Sequence, residues 1–141
     1  MQIMRNSSKK WLVLSLSLIS IYPVFVLSYV WRECFVSDFE GGKSGQLDAY
    51  RHTLASAVVA YTSSPKVVDL VTVFMERKER SDNLMDRHNN LIGAKIGLTA
   101  KSFSQINTLV RQQVSRGTEN AIENSQSTWL ARPYWGKSLF W

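Results

Sequence analysis

Twenty consecutive residues without a charge, Trp11–Val30, directly follow Lys9 and Lys10. A helix of that length rises about 30 Å, the thickness of a bilayer core. The stretch has no polar face, which argues against a buried amphipathic helix. The basic flank stays in the cytoplasm, so the chain after Val30 is expected on the far side of the membrane. Two fates follow. Trp11–Tyr22 ending at Pro23, with Val26 and Ser28 at cleavage-recognition positions, describes a removable signal peptide. The full length describes a retained anchor, although Ser15, Ser17, Ser20 and Ser28 dilute its hydrophobicity. The balance falls towards the anchor. The expected location is the inner membrane with a periplasmic domain, or outside the cell if the segment is cleaved.

The remaining chain, roughly 110 residues, is enough for one modest core. The net charge is +6, but Arg5, Lys9 and Lys10 precede the apolar segment, so the folded part is only mildly basic. Without a dense Lys/Arg stripe carrying stacking aromatics, nucleic acid is not an expected partner. Cys34 is the single cysteine, which excludes an internal disulfide and leaves packing to hold the domain. Trp31-Arg32-Glu33 before it lacks the small residues of a lipoprotein signal. Cys34 reads as a small residue near the membrane, with an intermolecular disulfide as the alternative.

Periodicity predicts an all-α domain of about four helices. Residues 31–45 read as a linker closing in the glycine-rich turn Glu40–Gly45, residues 46–117 as the helical domain, and residues 118–141 as a polar linker with an aromatic tail. A first helix is expected over Gln46–Thr62, where Leu47, Tyr50, Leu54, Ala57 and Tyr61 form a stripe. Ser64 and Pro65 open a second, nearly all-apolar helix to Arg80, interrupted on one side by Asp69, Thr72, Glu76 and Glu79. A third spans Asp82–Ala100, with Gly93 and Gly97 leaving a groove for close approach. Ser102–Gln105 has the pattern of a capping box for a fourth, which Gly117 ends. The tail, with Trp129, Tyr134, Trp135, Phe140 and Trp141, is expected to cover helix surface, or else to meet a membrane interface or a glycan.

The residues that could carry chemistry cluster on these helices. Asp48 and His52 stand one turn apart, so the carboxylate can orient the imidazole and raise its basicity. Asp86 and Asn90 repeat that spacing on the third helix. If the helices face one another, His52, Asp48, Asp86 and a glutamate (Glu76 or Glu79) form a general acid/base site, or a carboxylate-rich site for a divalent cation. Arg51, His88, Asn89 and Asn90 are the candidate binding residues. The plainer reading is a satisfied buried His–Asp pair, with Asp82, Asn83 and Asp86 serving the helix start. There is no His-Glu-x-x-His, so a zinc hydrolase of that type is not indicated.

Asp48-Ala49-Tyr50-Arg51-His52, followed by Met85-Asp86-Arg87-His88-Asn89-Asn90-Leu91-Ile92-Gly93, resembles an uncharacterised bacterial helical domain found in exported and toxin-like proteins. Its pattern is Asp-Ala-x-Arg-His, an acidic residue, then Met-Asp-x-x-Asn-Asn-x-x-Gly. The resemblance covers about residues 46–97 and singles out Asp48, Arg51, His52, Asp86, Asn89, Asn90 and Gly93; the middle acid matches either Glu76 or Glu79. It implies a shared site without naming a reaction. The function expected is therefore an envelope-side hydrolase acting on peptidoglycan or phospholipid, with a non-catalytic membrane-anchored binding, inhibitor or assembly protein as the alternative.

Overall fold

The computed structural model describes residues 20–64, 66–68, 81–118 and 128–137. Among them the fold is all-α: α1 (residues 20–35), α2 (Gln46–Thr62), α3 (Ser81–Thr99), α4 (Phe103–Ser115) and a 3-10 turn at Arg132–Tyr134. Of the second predicted helix, residues 66–68 are helical, and Ser64 Oγ accepts the Lys66 N–H. Most of that helix, with Glu76 and Glu79, lies outside the described residues.

α2 is central because its stripe carries both bulk and small residues. Tyr50, Leu54 and Val58 fill the core, while Ala49 and Ala57 let neighbouring helices approach. α4 lays Ile106, Val110 and Val114, spaced four apart, against it. The capping box is rearranged: Gln105 Oε1 accepts the Lys101 N–H, and Ser102 makes no side-chain cap.

α3 meets α2 through its glycines. A Cβ on Gly93 would stand 2.2 Å from the Thr53 carbonyl oxygen, and one on Gly97 2.3 Å from that of Ala57. Real carbon–oxygen contacts do not come so close, so only hydrogen fits at either position. The matched offset, 53 with 93 and 57 with 97, means that α2 and α3 run in the same direction. α1 and α4 run the other way. The Tyr22 hydroxyl meets Thr62 Oγ1 at 2.7 Å, Tyr29 packs on Phe103 at 5.1 Å, and Glu33 bonds Asn107.

Two expectations change here. The apolar segment Trp11–Val30 is described only from residue 20, and from there it is a helix packed on the domain. Val26 and Val30 are buried in the main core, contributing about 1.5–3 kcal/mol each. Among the described residues no helix is long and apolar enough to cross a membrane. The linker expected over residues 31–45 is likewise helical as far as residue 35. Its Glu33 and Cys34 are buried. Burial pushes the Cys34 thiol up to about 11, so it stays protonated and enclosed, which argues against an intermolecular disulfide.

The loop after α1 is clamped by the tail. Leu130 N–H donates to Ser44 O at 2.8 Å, Gly136 N–H to Lys43 O at 2.9 Å, and Trp129 packs on the core. Ser44, buried and in the left-handed region at φ 59°, is held in place for the helix that follows.

Candidate functional site

Asp48 lies in the first turn of α2 and is fixed from two sides. The Ser44 N–H donates to Oδ2 at 2.8 Å, and Arg51, one turn on, donates to Oδ1. Arg51 is in turn covered by the Trp31 ring, with its guanidinium carbon 5.5 Å from the ring centroid. His52 follows on the same face. Its Nε2 is 3.5 Å from Asp48 Oδ1 and 3.6 Å from Oδ1 of Asp86, which comes from α3. The side chains of His52 and Asp86 keep 30% and 21% of their surface open to solvent, against 5% for Asp48.

The next turn repeats the link between helices. Ser56 Oγ donates to Asn90 Oδ1 at 2.8 Å. His52 with Asp86 and Ser56 with Asn90 are two rungs of one ladder, which the parallel course of α2 and α3 makes possible.

Opposing influences set the charges. Burial pushes the Asp48 carboxyl up, but contact with His52, the charges of His52 and Arg51 and the Ser44 N–H together hold it below its usual range. Burial pulls the His52 imidazole down, but contact with Asp48 and the negative charges of Asp86 and Asp48 outweigh both that and the opposing Arg51, so its pKa rises. The two carboxylates therefore make the charged ring easier to hold than it is in a free histidine.

The distances admit another occupant. One N–H points at one acceptor, and 3.5–3.6 Å exceeds the 2.7–3.2 Å of a good N–H···O bond. Ligands about 2.1 Å from a tetrahedral ion stand roughly 3.4 Å apart. One ligand atom from each of Asp48, His52 and Asp86 lies within 4.8 Å of the others, so among the described residues these three could hold a divalent cation.

The expected set is thus only partly assembled. Asp48, His52 and Asp86 meet. Arg51 does not face solvent as a substrate-binding residue would: its side chain is 12% exposed and engages Asp48 and Trp31. Asn90 belongs to the second rung. Asn89 is turned into the core, where Nδ2 donates to Thr128 O at 2.9 Å and Oδ1 has no partner among the described residues. His88, two residues past Asp86, falls on a different side of α3, and burial and then Lys95 lower its pKa.

A second polar chain was missed by the sequence reading. Tyr50 OH donates to Asn107 Oδ1 at 2.7 Å, Asn107 Nδ2 donates to Glu33, and Arg32 pairs with Glu33. The available signal was Glu33 itself, an acid just beyond the uncharged run. Asn107 gave none, because its partners come from two distant helices.

Among known proteins, no family model, no curated protein and no solved structure matches this chain.

Proposed function

We propose that this chain is a membrane-tethered, extracytoplasmic hydrolase whose site is Asp48, His52 and Asp86. One observation carries the reading: two carboxylates from different helices converge on Nε2 of a single, partly exposed imidazole. Such a His is set to donate a proton. In this reading it protonates the leaving group as general acid, and the flanking carboxylates stabilise the charged form beforehand. Asp48 orients the ring, held by Ser44 and Arg51. Asp86, the more open carboxylate, positions the attacking water; were a divalent cation held by Asp48, His52 and Asp86 instead, it would supply the activated water and His52, as a ligand, would not be the acid. The substrates expected at such a location are peptidoglycan and phospholipid. Removal of the first 28 residues would take Tyr22 and Val26 from the core, so the tether is a retained one.

The test is hydrolysis of purified cell-wall polymer and of phospholipid vesicles by the full chain, with chelator or with added Mn²⁺ or Zn²⁺. His52→Gln is expected to stay helical by circular dichroism and to lose activity by about 100-fold or more. Wild-type protein inert on both substrates in every condition, or a variant as active as wild type, defeats the proposal.

The Ser56–Asn90 rung favours a second reading. It ties the same helices with no reactive group, so the whole ladder could serve as a register lock in a non-catalytic binding protein. Loss of fold in His52→Gln, together with an inert wild type, would select it.

A further inference from the structure

The described molecule is polarised end to end. At one end lie the start of α1, the finish of α2 and α3, and the first turn of α4. Ile21, Val24, Phe25, Tyr61 and Leu98 are exposed there, Leu98 at 60%. Ser20, Ile21, Val24 and Phe25 line a shallow groove of about 310 Å³. Three exposed lysines, Lys66, Lys95 and Lys101, surround this end. All the acids among the described residues (Glu33, Asp38, Glu40, Asp48, Asp82 and Asp86) lie on the segments nearer the opposite end. Phe35, Val36, Leu84 and Tyr134 are also exposed at that opposite end, but among acids. Among the described residues, apolar surface ringed only by cations occurs at the first end alone. Ser20 stands at that same end, and the sequence before it, from Trp11 to Ile19, is wholly uncharged.

Exposed aliphatic and aromatic side chains beside lysines, without acids, match a bilayer surface: the former enter the acyl boundary and the latter meet anionic headgroups. We infer that this end of the bundle rests on an anionic bilayer, so that α1 serves as both a wall of the domain and its lipid contact, and the His52 cluster faces away from the membrane. Ten residues of α2 separate His52 from the Thr62 level, about 15 Å along the helix. The inference rests on the membrane association proposed above, but not on hydrolysis. Combined with hydrolysis, it selects the cell-wall polymer over the lipids of the same bilayer, which the cluster does not reach.

Depth measurement tests it with the full chain. Leu98→Cys and Ser115→Cys place one dye at either end, while the enclosed Cys34 stays unlabelled. In vesicles containing phosphatidylglycerol, the dye at 98 is expected to shift to the blue and to be quenched by spin-labelled lipid, and the dye at 115 to do neither. Lys95→Gln with Lys101→Gln should weaken binding to those vesicles roughly five-fold per lysine and leave binding to neutral vesicles unchanged. Equal quenching at both positions, or stronger quenching at 115, overturns the orientation while the tether survives. No association with either vesicle overturns both.

Discussion

His52 is stabilised in its charged form by the fold, and that makes stability a function of pH. Its raised pKa gives a contribution fully present below the ordinary histidine value of about 6.5 and lost as pH rises through the raised value. The lowered Asp48 works at the other edge: its contribution is present above the ordinary carboxylate value and lost as pH falls through the lowered one. The pair therefore helps most in mildly acidic solution. His88 has the opposite sense, favouring neutral over acidic pH, so the comparison belongs in a His88→Gln background. Thermal melts from about pH 5 to about pH 9 should show a fall in Tm that begins near the ordinary histidine value of about 6.5 and is complete once pH has passed the raised His52 value, and His52→Gln should abolish it. Superimposable profiles would mean that the two carboxylates do not act on the ring. Asp48, His52 and Asp86 were legible because each sits on a four-residue row that one helix displays on one face. The roles of Arg51 and Asn89 were not. Whether a long side chain turns to solvent, to Trp31 or into the core depends on neighbours far away in sequence.

At the scale of elements, the contact between α2 and α3 depends on what is missing from Gly93 and Gly97. Gly93→Ala puts a methyl group 2.2 Å from a backbone carbonyl, which a side-chain rotation cannot relieve. The helices must separate, at a cost of about 1–3 kcal/mol that outweighs the ~1 kcal/mol of better helix propensity at most sites. Denaturation should register a Tm lower by several degrees, with Ser104→Ala, on an exposed position of α4, as the control. An unchanged Tm would contradict the close approach. Helix α2 was read to the residue, Gln46–Thr62, and α3 within one, Ser81–Thr99, because stripes and caps are local. The direction of α3 relative to α2 was not readable, since a stripe marks which face is buried and says nothing of what covers it.

The whole molecule includes more of its N-terminus than composition suggests. Trp31–Phe35 looked like the start of a linker because the uncharged run ends at Val30, yet loss of apolarity is not a helix stop, and the chain has no glycine until Gly41. A chain begun at Trp31 lacks Tyr22, Val26 and Val30. The two valines alone account for roughly 3–6 kcal/mol, a large share of the ~5–15 kcal/mol typical of a domain. Such a chain is expected to lose its near-ultraviolet circular dichroism, and one begun at Ser20 to keep it; equal spectra would place α1 outside the cooperative unit.

Because α2 and α3 point the same way, the polypeptide leaving Thr62 must retrace the length of α2 before Ser81 can begin alongside its start. The 17 residues of α2 measure roughly 25 Å, so Thr62 and Ser81 stand at opposite ends of the bundle. The register of the two helices, fixed where Gly93 and Gly97 meet the Thr53 and Ala57 carbonyls, sets where Asp86 arrives beside His52. An insertion or deletion in α3 between Asp86 and Gly93 would turn one rail of the ladder against the other and part the imidazole from its second carboxylate, although every residue of the cluster remained in the chain.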